Sequence, residues 1–259
     1  MALCAAPVVA APRIVSLNPC IDAILMEVAD PAQIAAISHY SRNPRATSIP
    51  LAKAARFAVT SGTAEEVLAL APDLVLAGSH VDPATLSALR RLNIRLVQVG
   101  VPATVAESQA QVRAIAEAAG HAARGRQLND RIATALRAAR PAPGTPPVPA
   151  LIWQGGGLVP GQGTLPDALL KLAGFRNMSA EQGLDSWDVL PLEQLVARPP
   201  QMLFTAGATG EADPMLAHPV LRPLARQMRI IAWPERLMRC GGPTIIEALA
   251  RLSTARQGS

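Results

Sequence analysis

Glu65-Glu66-Val67-Leu68-Ala69-Leu70-Ala71-Pro72-Asp73-Leu74-Val75-Leu76-Ala77 returns about half a chain later as Glu193-Gln194-Leu195-Val196-Ala197-Arg198-Pro199-Pro200-Gln201-Met202-Leu203-Phe204-Thr205. In both copies a glutamate stands seven residues before a proline, and a short apolar run follows. Proline disfavours helix in the residue before it, so each copy reads as a helix stopped short of proline and then a buried strand. A repeat at half the chain length implies two similar α/β lobes; a solenoid would repeat at a much shorter period. Two matched lobes leave a cleft between them, a common place for a ligand.

Around the first copy, Arg13–Leu17, Ile34–Ile37, Leu74–Ala77 and Arg95–Val99 read as strands, with Asn18-Pro19 breaking the first. Asp22–Ala29 and Pro83–Leu92 read as helices, and Thr63 with Glu66 forms a capping-box pattern at the start of the repeated helix. Strands alternating with helices predict a mostly parallel sheet. The rhythm then changes. Residues 104–140 contain no proline and carry Val105, Val112, Ile115, Leu128, Ile132 and Leu136 at helical spacing. They predict one long helix of about 50 Å, bent near Gly120, bridging the lobes. Gly120 and Gly125 each weaken it by about 1 kcal/mol. The proline-rich segment 141–148 is a linker. Ala150–Trp153, Met202–Thr205 and Arg229–Ala232 are strands of the second lobe, with helices at Leu165–Ala173, Leu192–Ala197 and Thr244–Leu252. The predicted architecture is α/β: a lobe over 13–103, a bridging helix over 104–140 and a lobe over 149–259. Both lobes are Rossmann-like and a single long backbone helix joins them.

Composition narrows the function. Half of the 259 residues are hydrophobic, enough for one large core or two modest ones. No apolar run reaches the roughly 18 residues a membrane span needs. The +5 charge is scattered arginine, Lys53 and Lys171 being the only lysines, and there are seven aromatic residues. Neither a basic stripe nor a stacking platform for nucleic acid is present. Residues 1–12 resemble the back half of a signal peptide, an apolar stretch ending in the small residues Val9-Ala10-Ala11. Beyond Cys4, the cysteines are Cys20 and Cys240, one per lobe, which fits one disulfide or two free thiols of an exported protein. Both are expected near the cleft mouth, where a thiol at a helix start could also bind a soft metal. His39, His80, His121 and His218 show no metal-ligand spacing, so no bare-metal site is expected.

Several segments resemble the periplasmic binding proteins of iron-chelate and vitamin B12 ABC importers. They are Arg13-Ile14-Val15-Ser16-Leu17-Asn18-Pro19, Ile37-Ser38-His39-Tyr40-Ser41, the Leu68–Ala77 run, Trp187 six residues before Glu193, and Trp233-Pro234-Glu235-Arg236. Their order and spacing carry the resemblance, which runs from about Pro12 to the last helix. It implies a periplasmic monomer without a resident cofactor that captures a metal chelate, either cobalamin or another corrinoid or a ferric siderophore, and delivers it to an ABC permease. Glu65 and Glu193 match the glutamates with which the family docks on permease arginines. The plain alternative is a pair of solvated helix-start carboxylates. Tyr40 and Trp187 match ligand-facing aromatics, and Arg236 or Arg239 matches a cleft arginine that would pair with a ligand carboxylate or phosphate.

At a further aromatic position of the family, six residues before Glu65, this chain has Val59. Tyr40, Trp187 and the Trp233–Arg236 run favour a corrinoid, whereas His39 beside Tyr40 could reach a haem. Gln154 to Gly157 lacks phosphate-loop spacing and reads as cleft wall. No nucleophile–base, zinc-protease or Walker pattern points to an enzyme. An enzyme in the same cleft would have to draw on Glu181, Asp185 and Asp188, which read as loop charges.

Overall fold

The computed structural model describes residues 11–206 and 227–258, so the leader-like segment lies almost wholly outside the described residues, as does His218. The first lobe runs β1 (Ile14–Ser16), α1 (Pro19–Val28), β2 (Ile34–Ser38), α2 (Leu51–Ala54), β3 (Val59–Thr60), α3 (Ala64–Ala69), β4 (Leu74–Gly78), α4 (Pro83–Arg91) and β5 (Arg95–Val99). The five strands form one parallel sheet in the order β3-β2-β1-β4-β5. Ile14, Val15, Leu74, Val75 and Leu76 are fully buried. Their unbroken apolar runs follow from a parallel sheet covered on both faces.

Pro19 does not end a strand so much as begin a helix. It occupies the first turn of α1, where its missing N–H costs nothing, and the Asn18 side chain accepts from the amides of Cys20 and Ile21. At α3 only half of the expected capping box forms. Thr63 accepts from Glu66 N, but the Glu66 carboxylate turns to the Thr60 and Ser61 hydroxyls and the Ser61 amide.

The largest departure from expectation is the bridging segment. It is two helices, α5 (Val105–Ala118) and α6 (Ala122–Ala139), folded back on one another. Gly120 takes φ +84°, and His121 N donates to Ala116 O across the turn, which is a glycine C-terminal cap and not a bend. Gly125 is there for contact: a Cβ on it would lie 2.5 Å from that of Ala116. Gln109 and Asn129 exchange amide–carbonyl bonds between the two helices. The helix that leads into the second lobe is therefore α6 alone, about 27 Å long at 1.5 Å per residue.

The second lobe continues with β6 (Val148–Gln154), β7 (Leu158–Pro160), α7 (Leu165–Leu172), β8 (Phe175–Asn177), α8 (Met178–Glu181), β9 (Trp187–Val189), α9 (Leu192–Ala197), β10 (Met202–Ala206), β11 (Arg229–Trp233) and α10 (Thr244–Gln257). Its sheet order is β11-β10-β6-β7-β9, with β8 beside β6. β11, β10, β6 and β8 are parallel, but β7 runs antiparallel to both β6 and β9. The sheet is thus mixed, because the glycine turn after Gln154 sends the chain straight back as a hairpin. Gly156 and Gly157 there take φ +77° and +84°. Each lobe keeps a small apolar cluster of its own, around Val15, Val75 and Leu89 in the first and Leu151, Trp153 and Leu203 in the second, but the main core is shared. One apolar cluster runs from Ile14 and Leu76 through Ile115, Leu128 and Ile132 of the helical pair to Ile152, Phe204 and Leu252.

A candidate ligand cleft between the lobes

In a parallel sheet all strands end at one edge, and ligands bind there. In the first lobe that edge carries Asn18 after β1, His39 and Tyr40 after β2, Ser61 after β3, and Ser79 and His80 after β4. In the second lobe it carries Gln154, the glycine turn and the segment after Trp233. A recess of about 410 Å³, open solvent included, spans the two edges. Asn18, Ser79, His80 and Gln111 line it from the first lobe and the helical pair, and Arg239 and Gly241 line it from the second lobe.

Tyr40 is 51% exposed, unusual for a large aromatic side chain in a chain with one tyrosine. It sits in a short 3-10 turn, His39–Arg42, whose first amide bonds are anchored by Ser38 Oγ, which accepts from Tyr40 N. The His39 ring lies 4.0 Å from the Tyr40 ring, and His39 Nδ1 is 3.2 Å from Thr60 O. Beneath the turn is a fully buried carboxylate that sequence reading passed over. Asp22 Oδ2 accepts from Ser38 N at 3.1 Å and from Ser41 Oγ at 2.6 Å, tying α1 to the turn that presents His39 and Tyr40. Burial pushes Asp22 up to about 7, against the opposing pull of hydrogen bonds from Ser16, Ser41 and Ser38. Glu66 is held below its usual range by hydrogen bonds from Thr60 and Ser61.

The two arginines part company. Arg239 borders the recess and pairs with Glu235 at 3.0 Å, whose carboxylate also accepts from Gln154 Nε2 at 2.9 Å. Arg236 is bound to Glu247 of α10 and faces a separate side groove with Glu27 and Lys53. Burial would raise Glu247, but Arg236 and Arg251 outweigh it and hold the carboxyl low. Trp233 is core and not a cleft residue: it is 4% exposed and stands edge-on to Phe204, with ring centroids 5.3 Å apart. Trp187 is half-buried against the main core, two residues back from the end of β9.

Glu65 and Glu193 are exposed in the first turns of α3 and α9, and neither pairs with another described residue. α3 leaves the cleft edge after β3. β9 is antiparallel to β7, which is antiparallel to β6, so β9 runs parallel to β6 and α9 leaves the cleft edge too. Topology thus puts one unpaired glutamate on each side of the same rim.

Cys20 and Cys240 are joined in a disulfide that crosses from one lobe to the other, with Cα atoms 5.0 Å apart. This decides among the alternatives the sequence left open: neither sulfur is a free thiolate for a soft metal. Glu181 pairs with Arg176, away from the recess. Among the described residues no three His, Cys, Asp or Glu side chains converge as a metal site, and no helix is long and apolar enough to cross a membrane.

The structure resembles periplasmic heme-binding protein RhuT from Roseiflexus sp. RS-1, with a TM-score of 0.76 and 27% identity over 95% of this chain and 97% of that one. The heme-binding protein HutB of Vibrio cholerae has a TM-score of 0.78 and 21% identity over 94% and 98% of the two chains. The vitamin B12 binding protein BtuF of Vibrio cholerae has a TM-score of 0.73 and 19% identity over 95% and 97%; at these lower identities both show the fold. No curated protein matches the sequence. The profile described as periplasmic binding protein matches residues 14–237, most of the chain, and with the two-lobed α/β fold it places this protein in the periplasmic binding protein family.

Proposed function

We propose that this chain is the periplasmic receptor of an ABC importer and that its cargo is a metal tetrapyrrole. The observation that carries the reading is the exposed His39–Tyr40 pair, its rings in tilted contact at the cleft edge. A phenolate and an imidazole are both axial ligands for a chelated metal, and the flat rings offer stacking area to a planar macrocycle. Haem fits this pair better than a corrinoid does, because the corrinoid preference drew partly on Trp233, which packs in the core. The similarity to RhuT supports the same choice. Arg239, at the recess, is suited to a propionate of the macrocycle. Trp187 would reach the cargo only from its setback position on β9. Glu65 and Glu193 would engage a basic permease surface, one from each lobe, fixing the receptor's orientation on it.

The test is titration of the purified protein with haemin, cyanocobalamin and a ferric siderophore, followed by the absorbance of the added chelate. Haemin should bind with a shifted Soret band, and Tyr40→Phe should change the band position while His39→Ala alters its intensity. Saturable cyanocobalamin or siderophore binding with no response to haemin would reverse the choice of cargo.

A further inference from the structure

Cys20 and Cys240 are 220 residues apart in sequence and belong to different lobes. The disulfide between them is the centre of a wider seat. Ser48 Oγ lies 2.9 Å from Cys240 Sγ and donates to Arg236 O at 3.2 Å. Gly242 N donates to the buried Ser108 Oγ at 2.7 Å. A Cβ on Gly241 would fall 2.3 Å from Ser108 Oγ, and one on Gly242 would fall 2.7 Å from Ile24 Cγ1. The segment from Glu235 to Gly242 is therefore set into the first lobe and α5, with no room for side chains at its closest approach. It is also part of the cleft: Cys20, Arg239 and Gly241 line the recess together with His80.

We propose that the Cys20–Cys240 disulfide is a specificity-determining clamp at the floor of the cleft. It holds the walls at one spacing, so that Arg239 of the second lobe stays opposite Ser79 and His80 of the first. The chain already links the lobes through α6, and the disulfide adds a second, covalent link on the cleft side. Added to the shared core, two covalent links at different points restrain the relative movement of the walls more than α6 alone would. The cargo is then selected by fit to a preformed slot and not by lobe closure, and a preformed slot spares the cost of ordering on binding. The identity of the cargo rests on the function proposed above, whereas the clamp itself does not.

The experiment compares the wild type with Cys20→Ser/Cys240→Ser, without ligand, by hydrogen exchange of peptides covering Leu237–Gly242 and Ser48–Pro50, with peptides from β4 and β10 as internal reference. The clamp predicts at least tenfold faster exchange in the two seat segments, unchanged reference peptides, and a broader small-angle scattering distance distribution. Reduction of the folded wild type with a phosphine, which turns the disulfide into two thiols, should reproduce the effect if the double variant folds poorly. Unchanged exchange in the seat, or equal acceleration of the reference peptides, would overturn the proposal and leave the disulfide a passive staple. Haemin should dissociate about tenfold faster from the variant. If haemin and cyanocobalamin both fail to bind the wild type, the cargo reading falls while the exchange data still decide the clamp.

Discussion

Asp22 offers a sharp test because its burial, its partners and its titration point to one measurable slope. Its carboxyl is fully buried and pushed from 3.8 up to about 7. Between about pH 4 and pH 7 the folded protein therefore keeps a proton that the unfolded chain gives up. The native state binds more protons across that window, so stability falls as pH rises, and it is flat with respect to this group below and above it. About three pKa units at 1.36 kcal/mol each make the total loss about 4 kcal/mol. Glu66 and Glu247 have lowered values and act with the opposite sign. Their contribution is present above the ordinary carboxylate range and is lost as pH falls through it. The wild-type curve is the sum of these effects, and the difference from Asp22→Asn isolates the first. The amide cannot ionise, and its oxygen can still accept from Ser38 N and Ser41 Oγ. Urea midpoints from pH 4 to pH 8 should show the variant gaining on the wild type by about 4 kcal/mol as pH rises, then running parallel above pH 7. A difference that stays constant from pH 4 to pH 7 would refute the assignment of a neutral carboxyl beneath the Tyr40 turn.

Other expectations follow from the same geometry. Glu65→Lys with Glu193→Lys should abolish uptake in cells lacking their own receptor while haemin affinity of the purified protein stays the same, since reversing rim charges costs several kcal/mol against a basic partner; normal uptake would return both to solvated helix starts. Gly241→Ala should cost about 1–3 kcal/mol by overpacking against Ser108, and Ser108→Gly should relieve much of that in a thermal-melt double-mutant cycle. Trp187→Ala should lower stability by about 2 kcal/mol, because the ring packs on the main core, with less than a tenfold loss in haemin affinity. A large affinity loss at unchanged melting temperature would instead make Trp187 a cargo anchor.

Seven of the described strands were legible because their signals are local, whereas β3, β7, β8 and β9, two or three residues each, were not anticipated. Apolar runs before and after Pro72 and Pro200 marked the helix–strand pairs, and β4 and β10 lie within a residue of where they were expected. The long-helix reading failed at Gly120 because apolar periodicity runs through the turn unchanged. What distinguishes a hairpin from a rod is that Gly125 lets Ala116 approach, and that contact joins residues on different turns. Asp22 was invisible as a special group because an acid in the first turn of a helix is ordinary. Only the burial imposed by β2 and the Ser38–Arg42 turn makes it unusual.

The sequence by itself determined two related α/β lobes, seven of the described strands, and a glutamate at matching helix starts in the two halves. All of these rest on spacing along the chain, which sets helix period, strand alternation and the repeat. Tertiary structure alone decided the pairing of Cys20 with Cys240, the division of labour between Arg236 and Arg239, the withdrawal of Trp233 into the core, and the main core shared by both lobes. These depend on which surfaces meet across 200 residues of chain. Such meetings are set by the summed burial of apolar area and the satisfaction of buried polar groups, and not by any local pattern.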